Sequence, residues 1–203
     1  MKIKLLSILI ASCLLVGCIT KTVPPTNIYT ISPQWNDPHS LKADINNVFT
    51  LKLNPIRASR ELKGTEILYT DNFYSQNSYA YSRWNDTPIK LLQTFFHIAI
   101  EEMSLYKAVI PSISVSKPDF ILESTLLQLT QQLQKEGRST GIIRIRFYLI
   151  DNKSREVLAT KEFFSTAPVN NQNAKGAVEA INTAVVDVAN KLVAWLAEND
   201  PSQ

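Results

Sequence analysis

The stretch Ile142–Ile150, IIRIRFYLI, decides the fold. Its side chains alternate with a period of two. Ile143, Ile145, Phe147 and Leu149 fall on one side, and Arg144, Arg146 and Tyr148 on the other. That is the pattern of a strand with one face in a core and one face in water. Upstream, Asp119–Leu133 is a Leu- and Thr-rich run behind Pro118 and reads as a second long strand. Phe120, Leu122 and Leu126 share one of its faces, and Ile121, Leu127 and Leu129 the other. Lys135–Gly141 (KEGRSTG) reads as the hairpin loop between the two. Downstream, Asp151–Arg155 (DNKSR) turns the chain, and Glu156–Ser165 returns as a third strand. Connections this short join neighbouring antiparallel strands.

Two helices flank this unit. Thr87 followed by Pro88 is a start signal, because proline at the first helical position gives up no hydrogen bond. From Pro88 to about Leu105, residues Ile89, Leu92, Phe95, Phe96, Ala99, Ile100 and Met103 form one apolar face. Near the C-terminus, Ala174–Glu198 carries Ala177, Val178, Ile181, Ala184, Val185, Val188, Leu192, Trp195 and Leu196 in a single stripe. Shorter strand-like runs precede the first helix: Ile28–Ile31, Val48–Leu53, Glu66–Thr70 and Phe73–Tyr81. Between the first two lies a loop with Trp35, Pro38 and His39. The expected fold class is α+β: two layers, a mainly antiparallel sheet, and two long helices packed on one face.

The N-terminus reads as a leader. Met1–Lys4 is basic, and Leu5–Val16 is an apolar run of twelve residues. As a helix this spans only ~18 Å, short of the ~30 Å hydrocarbon core of a bilayer. It therefore has the build of a signal peptide. Leu15-Val16-Gly17-Cys18 then matches the lipobox of bacterial lipoproteins. That resemblance implies cleavage between Gly17 and Cys18 and acylation of the Cys18 sulfur and its new amino group. Two or three acyl chains, at ~0.8 kcal/mol per buried methylene, would hold the protein on a membrane. Ile19, not Asp, follows the cysteine, which in enterobacterial-type sorting favours the outer membrane. Polar residues 19–27 with Pro24-Pro25 read as a tether reaching roughly 30 Å when extended. The expected organisation is a signal peptide over 1–17, lipidated cysteine and tether over 18–27, one domain over 28–199, and a short tail over 200–203.

Composition supports a folded chain and excludes several functions. Of 203 residues, 45% are hydrophobic and 19% charged, which is globular rather than disordered composition. The formal charge of +3 includes Lys2 and Lys4 of the leader; without them 19 basic residues face 18 acidic ones. That balance offers no electrostatic footprint for nucleic acid. With Cys13 in the leader, Cys18 is the one thiol left, so no internal disulfide forms. Two histidines and one cysteine do not make a zinc site of the usual ligand types.

Catalytic patterns are sparse. No G-x-S-x-G elbow or phosphate-cradling glycine loop occurs. His97, with Glu101 four residues on, has the spacing of a base oriented by a carboxylate, but no nucleophile neighbours it in sequence. The pair reads as a solvated helix surface, and His39 as a loop residue. Glu101 and Glu102 point about 100° apart on a helix and are no carboxylate pair. Residues that could meet a partner are Arg144 and Arg146, on one strand face, and the aromatic stretch Tyr74, Tyr79, Tyr81 and Trp84. For both groups the structural reading, a wet sheet face and a core respectively, weighs more.

Taken together the chain resembles the ABC-type transport auxiliary lipoprotein family, the lipoproteins of paraquat-inducible and related MCE lipid-transport systems. The resemblance rests on the lipobox LVGC, on Tyr29-Thr30-Ile31-Ser32-Pro33, and on Leu51–Pro55 and Glu66–Tyr69. It continues through Tyr79-Ala80-Tyr81 leading to Trp84 before a proline-started helix, the hairpin after Pro118-Asp119-Phe120, and a late helix ending at Trp195-Leu196. Asn85-Asp86 departs from the Ala-Glu often found after the tryptophan. The resemblance implies a non-catalytic component without a cofactor, docking a lipid-transport conduit at the periplasmic face of the outer membrane, with an MCE-domain protein and its ABC transporter as partners. Homo-oligomerisation stays open. So do two other classes: a periplasmic lipoprotein hydrolase using His97, and a structural envelope scaffold.

Overall fold

The computed structural model describes residues 23–32, 48–71, 75–134 and 137–199. The leader, Cys18, the loop with Trp35 and His39, and Tyr74 lie outside the described residues. Among the described residues nine strands and two helices follow in the order β1 (Asn27–Tyr29), β2 (Thr50–Leu53), β3 (Arg57–Ala58), β4 (Glu66–Thr70), β5 (Gln76–Trp84), α1 (Pro88–Glu102), β6 (Ala108–Pro111), β7 (Phe120–Leu133), β8 (Ser139–Asp151), β9 (Val157–Pro168) and α2 (Ala174–Glu198). A 3-10 turn, Arg60–Leu62, sits between β3 and β4.

Strand β7 is the spine of the sheet. One edge pairs antiparallel with β8 along its whole length, and β8 pairs antiparallel with β9. The other edge is shared by three short strands in turn, all parallel to it: β2 at Phe120–Leu122, β3 at Thr125–Leu126 and β4 at Gln131–Gln132. Strand β6 adds to β2 in parallel, β5 to β4 antiparallel, and β1 to β5 in parallel. The sheet is therefore mixed, which corrects the expectation of a mainly antiparallel one. Short loops fix pairing only between strands that follow each other. The parallel pairs here join segments separated by dozens of residues, where period-two patterning says nothing about direction.

The expected face of β8 is the buried one: Ile143, Ile145, Phe147 and Leu149 are all at most 2% exposed. On β7 the expectation fails for one residue. Leu129 is buried with Leu126, although they are three apart. The β7–β8 register slips between Leu126 and Gln128, so Leu127 is an extra, 41% exposed residue. A bulge of this kind exchanges the two faces beyond it.

Both helices cover the same sheet face. A line of edge-on aromatic contacts shows this: Phe96 of α1 meets Phe147 of β8 (ring centroids 5.5 Å apart), Phe147 meets Phe163 of β9 (6.0 Å), and Phe163 meets Trp195 of α2 (6.1 Å). Such geometry adds about 0.5–1.5 kcal/mol per pair beyond burial. Helix α1 begins after Thr87 as expected, but the Thr87 hydroxyl makes no capping bond. Helix α2 is capped by Asn173, whose Oδ1 accepts the Gly176 N–H at 2.9 Å. Although α2 is long and apolar enough to cross a bilayer, its stripe from Ala177 to Leu196 is buried against the sheet. The described elements from Asn27 to Glu198 share a single core cluster.

Candidate functional site

The residues expected to meet a partner occupy two separate places. Arg144 and Arg146 project from the sheet face that neither α1 nor α2 covers. Both reach Glu162 on β9: Arg146 Nη2 lies 2.5 Å from Glu162 Oε2, and Arg144 Nε 3.6 Å from Oε1. The Glu162 carboxylate raises the pKa of the Arg146 guanidinium, first through the hydrogen bond between them. The Arg144 guanidinium also lies 5.0 Å above the ring of Phe164, itself 47% exposed. The outer face is thus a pre-ordered patch of two cations, one carboxylate and one exposed ring.

The aromatic stretch of β5 lies elsewhere. The β4–β5 register breaks so that Tyr79–Ser82 stand opposite Ile67 alone. Within this irregular segment Tyr81 is 47% exposed, but Tyr79 turns toward the inner face. Trp84 is only 3% exposed and belongs to the core. It presents no surface to a partner, which corrects its place among the contact residues: its large apolar ring is more stable inside the core.

Tyr79 heads a chain of hydrogen bonds at the hairpin end of the sheet. Its hydroxyl donates to Gln131 Oε1. Gln131 Nε2 donates to Ser139 Oγ at 2.8 Å and to Gln172 Oε1 at 3.4 Å. Ser139 Oγ donates to Gln172 Oε1 at 2.6 Å, and Gln172 Nε2 to the Val169 carbonyl at 3.1 Å. Gln131 is fully buried, so these bonds are what make an amide tolerable there. The ring of Tyr69 leans on Tyr79 with centroids 5.2 Å apart. Burial pushes the Tyr79 phenol pKa up, so it stays a neutral donor.

This network floors an open cavity of about 550 Å³, lined by Tyr69, Tyr79, Gln131, Gln134, Arg138 and Gln172 among others. Its polar groups among the described residues are amides, phenols, the Ser78 hydroxyl and a guanidinium, which bind through hydrogen bonds and stacking. Neither Gln131 nor Gln172 carries a sequence signal for this role. Their partners lie 52 and 33 residues away, and only the fold brings them together.

His97 sits where its spacing put it, on α1 with Nε2 3.8 Å from Glu101 Oε2. That separation is an ion-pair distance and not the hydrogen bond that orients a catalytic base. Among the described residues no cluster of three or more His, Cys, Asp or Glu could hold a metal ion.

Comparison with known proteins adds what geometry does not. The family model of the ABC-type transport auxiliary lipoprotein component matches residues 29–193. A crystal structure of a Xanthomonas campestris protein from family DUF330 superposes with a TM-score of 0.73 at 16% identity, covering 85% of this chain and 96% of that one. The crystal structure of an uncharacterised protein gives 0.66 at 8% identity, covering 85% and 99%. At these identities the likeness is one of fold. No curated protein matches the chain.

Proposed function

The chain belongs to the ABC-type transport auxiliary lipoprotein family, and from that membership we propose that it is a non-catalytic, lipid-anchored component of an envelope ABC/MCE-type phospholipid-transport system. In this reading Cys18 carries the acyl chains, the tether holds the domain near the periplasmic face of the outer membrane, and the domain docks an MCE-domain protein projecting from the inner membrane. The match over residues 29–193, which spans the whole described domain apart from its ends, carries the proposal. The chemistry of the sites supports the non-catalytic part. Among the described residues the Tyr79 cavity offers hydrogen bonds without an acid–base pair, and His97 Nε2 stands 3.8 Å from Glu101 Oε2, outside hydrogen-bond distance.

The anchor has a physical task in this account. A tether reaching roughly 30 Å confines the domain to a thin layer beside its membrane and raises its effective concentration toward a conduit arriving there. Arg144 and Arg146, ordered by Glu162 and flanked by Phe164, form the contact surface on the outer sheet face, and Tyr79 and Tyr81 a second one. The test is complementation by an unanchored form exported through a cleavable signal. It should bind the MCE partner in solution and fail to restore envelope function at wild-type levels. Full restoration would reduce the lipid to a delivery signal and overturn the docking role.

A further inference from the structure

The end of the sheet opposite the Tyr79 cavity carries features that neither the fold nor the transport role uses. The loop of residues 112–117 (SISVSK), between β6 and β7, holds Ile113 at 89% exposure and Val115 at 100%. The loop is built, not merely exposed. Ser114 N–H donates to the Pro111 carbonyl at 3.0 Å, Ser116 N–H to Ser114 Oγ at 3.2 Å, and Lys52 Nζ to the Ser114 carbonyl at 2.9 Å. The fold thus holds two aliphatic side chains out into water, each forgoing the stabilisation that burial of its surface would bring.

Cations surround this tip. Lys117 closes the loop. Directly after it, the Pro118 and Asp119 carbonyls accept Asn152 Nδ2 at 2.8 Å and Asn152 N–H at 2.9 Å, which seats the β8–β9 turn with Lys153 and Arg155 against the loop. Lys107 lies nearby, its N–H bonded to the Phe49 carbonyl at 2.8 Å. Among the described residues none of Lys107, Lys117, Lys153 and Arg155 has a salt-bridge partner. The acidic groups at this end are partly committed. Asp119 Oδ2 accepts Thr50 N–H at 2.7 Å, and Asp151 Oδ1 accepts the Lys153 and Ser154 N–H groups at 2.8 and 2.7 Å with the Lys153 charge nearby; both stay anionic, so with Glu156 three carboxylates stand against the four cations and the tip keeps a small positive excess. Val48, Val157 and Leu158, at 63%, 56% and 45% exposure, add apolar surface around the rim.

We propose that this end of the domain is a membrane-contact tip, in which Ile113 and Val115 enter the acyl boundary of an anionic phospholipid bilayer while Lys107, Lys117, Lys153 and Arg155 meet the headgroups. Ile113 and Val115, more exposed than Val48, Val157 or Leu158, stand out on a narrow turn and not in a groove. They fit between lipid chains, and the surrounding cations match the sign of anionic headgroups. The tip lies roughly 35 Å along β7 from Gln131, by the rise of a strand, so contact there leaves the Tyr79 cavity facing away from the bilayer. The proposal does not depend on the transport role, since it concerns the isolated domain and a lipid surface.

The test uses the chain from residue 19 to 203, which retains the whole core and contains no cysteine. Val115→Cys carries an environment-sensitive dye, and Ala194→Cys, exposed on α2, is the control. On adding phosphatidylcholine vesicles containing phosphatidylglycerol, the dye at 115 should shift to the blue and the dye at 194 should not. Neutral phosphatidylcholine vesicles, or high salt, should weaken the response. Ile113→Ser in the same protein should lower vesicle affinity roughly tenfold or more without moving the thermal melt. No shift at 115, an equal shift at 194, or unchanged affinity in Ile113→Ser would each overturn the proposal.

Discussion

A methyl group added to Gly141 would stand 2.7 Å from the backbone nitrogen of Ile181. Helix α2 therefore lies directly on β8 at this point, with Ala180 supplying the other close atoms at 2.8 Å. Gly141→Ala should force the helix off the strand and destabilise the domain by about 1–3 kcal/mol, the usual cost of overpacking. Urea unfolding of residues 19–203 measures it. An unchanged midpoint would mean that α2 is free to move and that its seat on the sheet is looser than described.

Tyr79→Phe leaves Gln131 Oε1 without its donor inside the protein, and should cost about 1–3 kcal/mol. Tyr81→Phe, at an exposed site, should cost far less. Tyr79 also gives a pH signature. Its folded pKa is raised by burial above the ordinary value of 10.0. Above that pH the unfolded chain loses the proton more readily than the folded one, so this contribution is complete below pH 10 and is lost as pH rises through the folded pKa. Unfolding curves on the alkaline side should fall less steeply for Tyr79→Phe than for the native chain.

Cys18→Ser should abolish incorporation of labelled fatty acid and leave precursor of unreduced size. Mature-sized protein that still carries label would place the lipid on another residue and remove the lipobox from the account.

His97→Ala should support envelope function at wild-type level, because its imidazole meets Glu101 only at 3.8 Å. Complementation of a deletion strain measures this. Loss of function with an unchanged melting temperature would point to chemistry at His97 and revive a hydrolase.

What could be read from the chain follows the range of the interactions involved. The period of β8 showed its buried face because alternation is local, and α2 was legible from Ala174 to Glu198 because a 25-residue stripe admits no other structure. Gly141 misled: glycine before a strand reads as loop, whereas β8 starts at Ser139 and the glycine answers to a helix forty residues away. The bulge at Leu127 left no mark, because each neighbouring residue suits either face. Strand β6, four residues long, and the two-residue β3 were missed, since neither carries enough alternation to stand out. The candidate site was half legible. Arg144 and Arg146 followed from alternation, while the Gln131, Ser139 and Gln172 floor of the Tyr79 cavity exists only after distant segments meet.

The central claim is that this domain works as part of an ABC transport assembly, and crosslinked affinity purification of the full-length protein from detergent-solubilised envelopes tests it most directly. An MCE-domain protein and an ABC ATPase should co-purify with the wild-type chain. They should be lost or sharply reduced when Arg144 and Arg146 are both changed to Glu in a protein that still melts normally. Recovery of the lipoprotein without either component, or together with cell-wall proteins instead, would contradict the transport role.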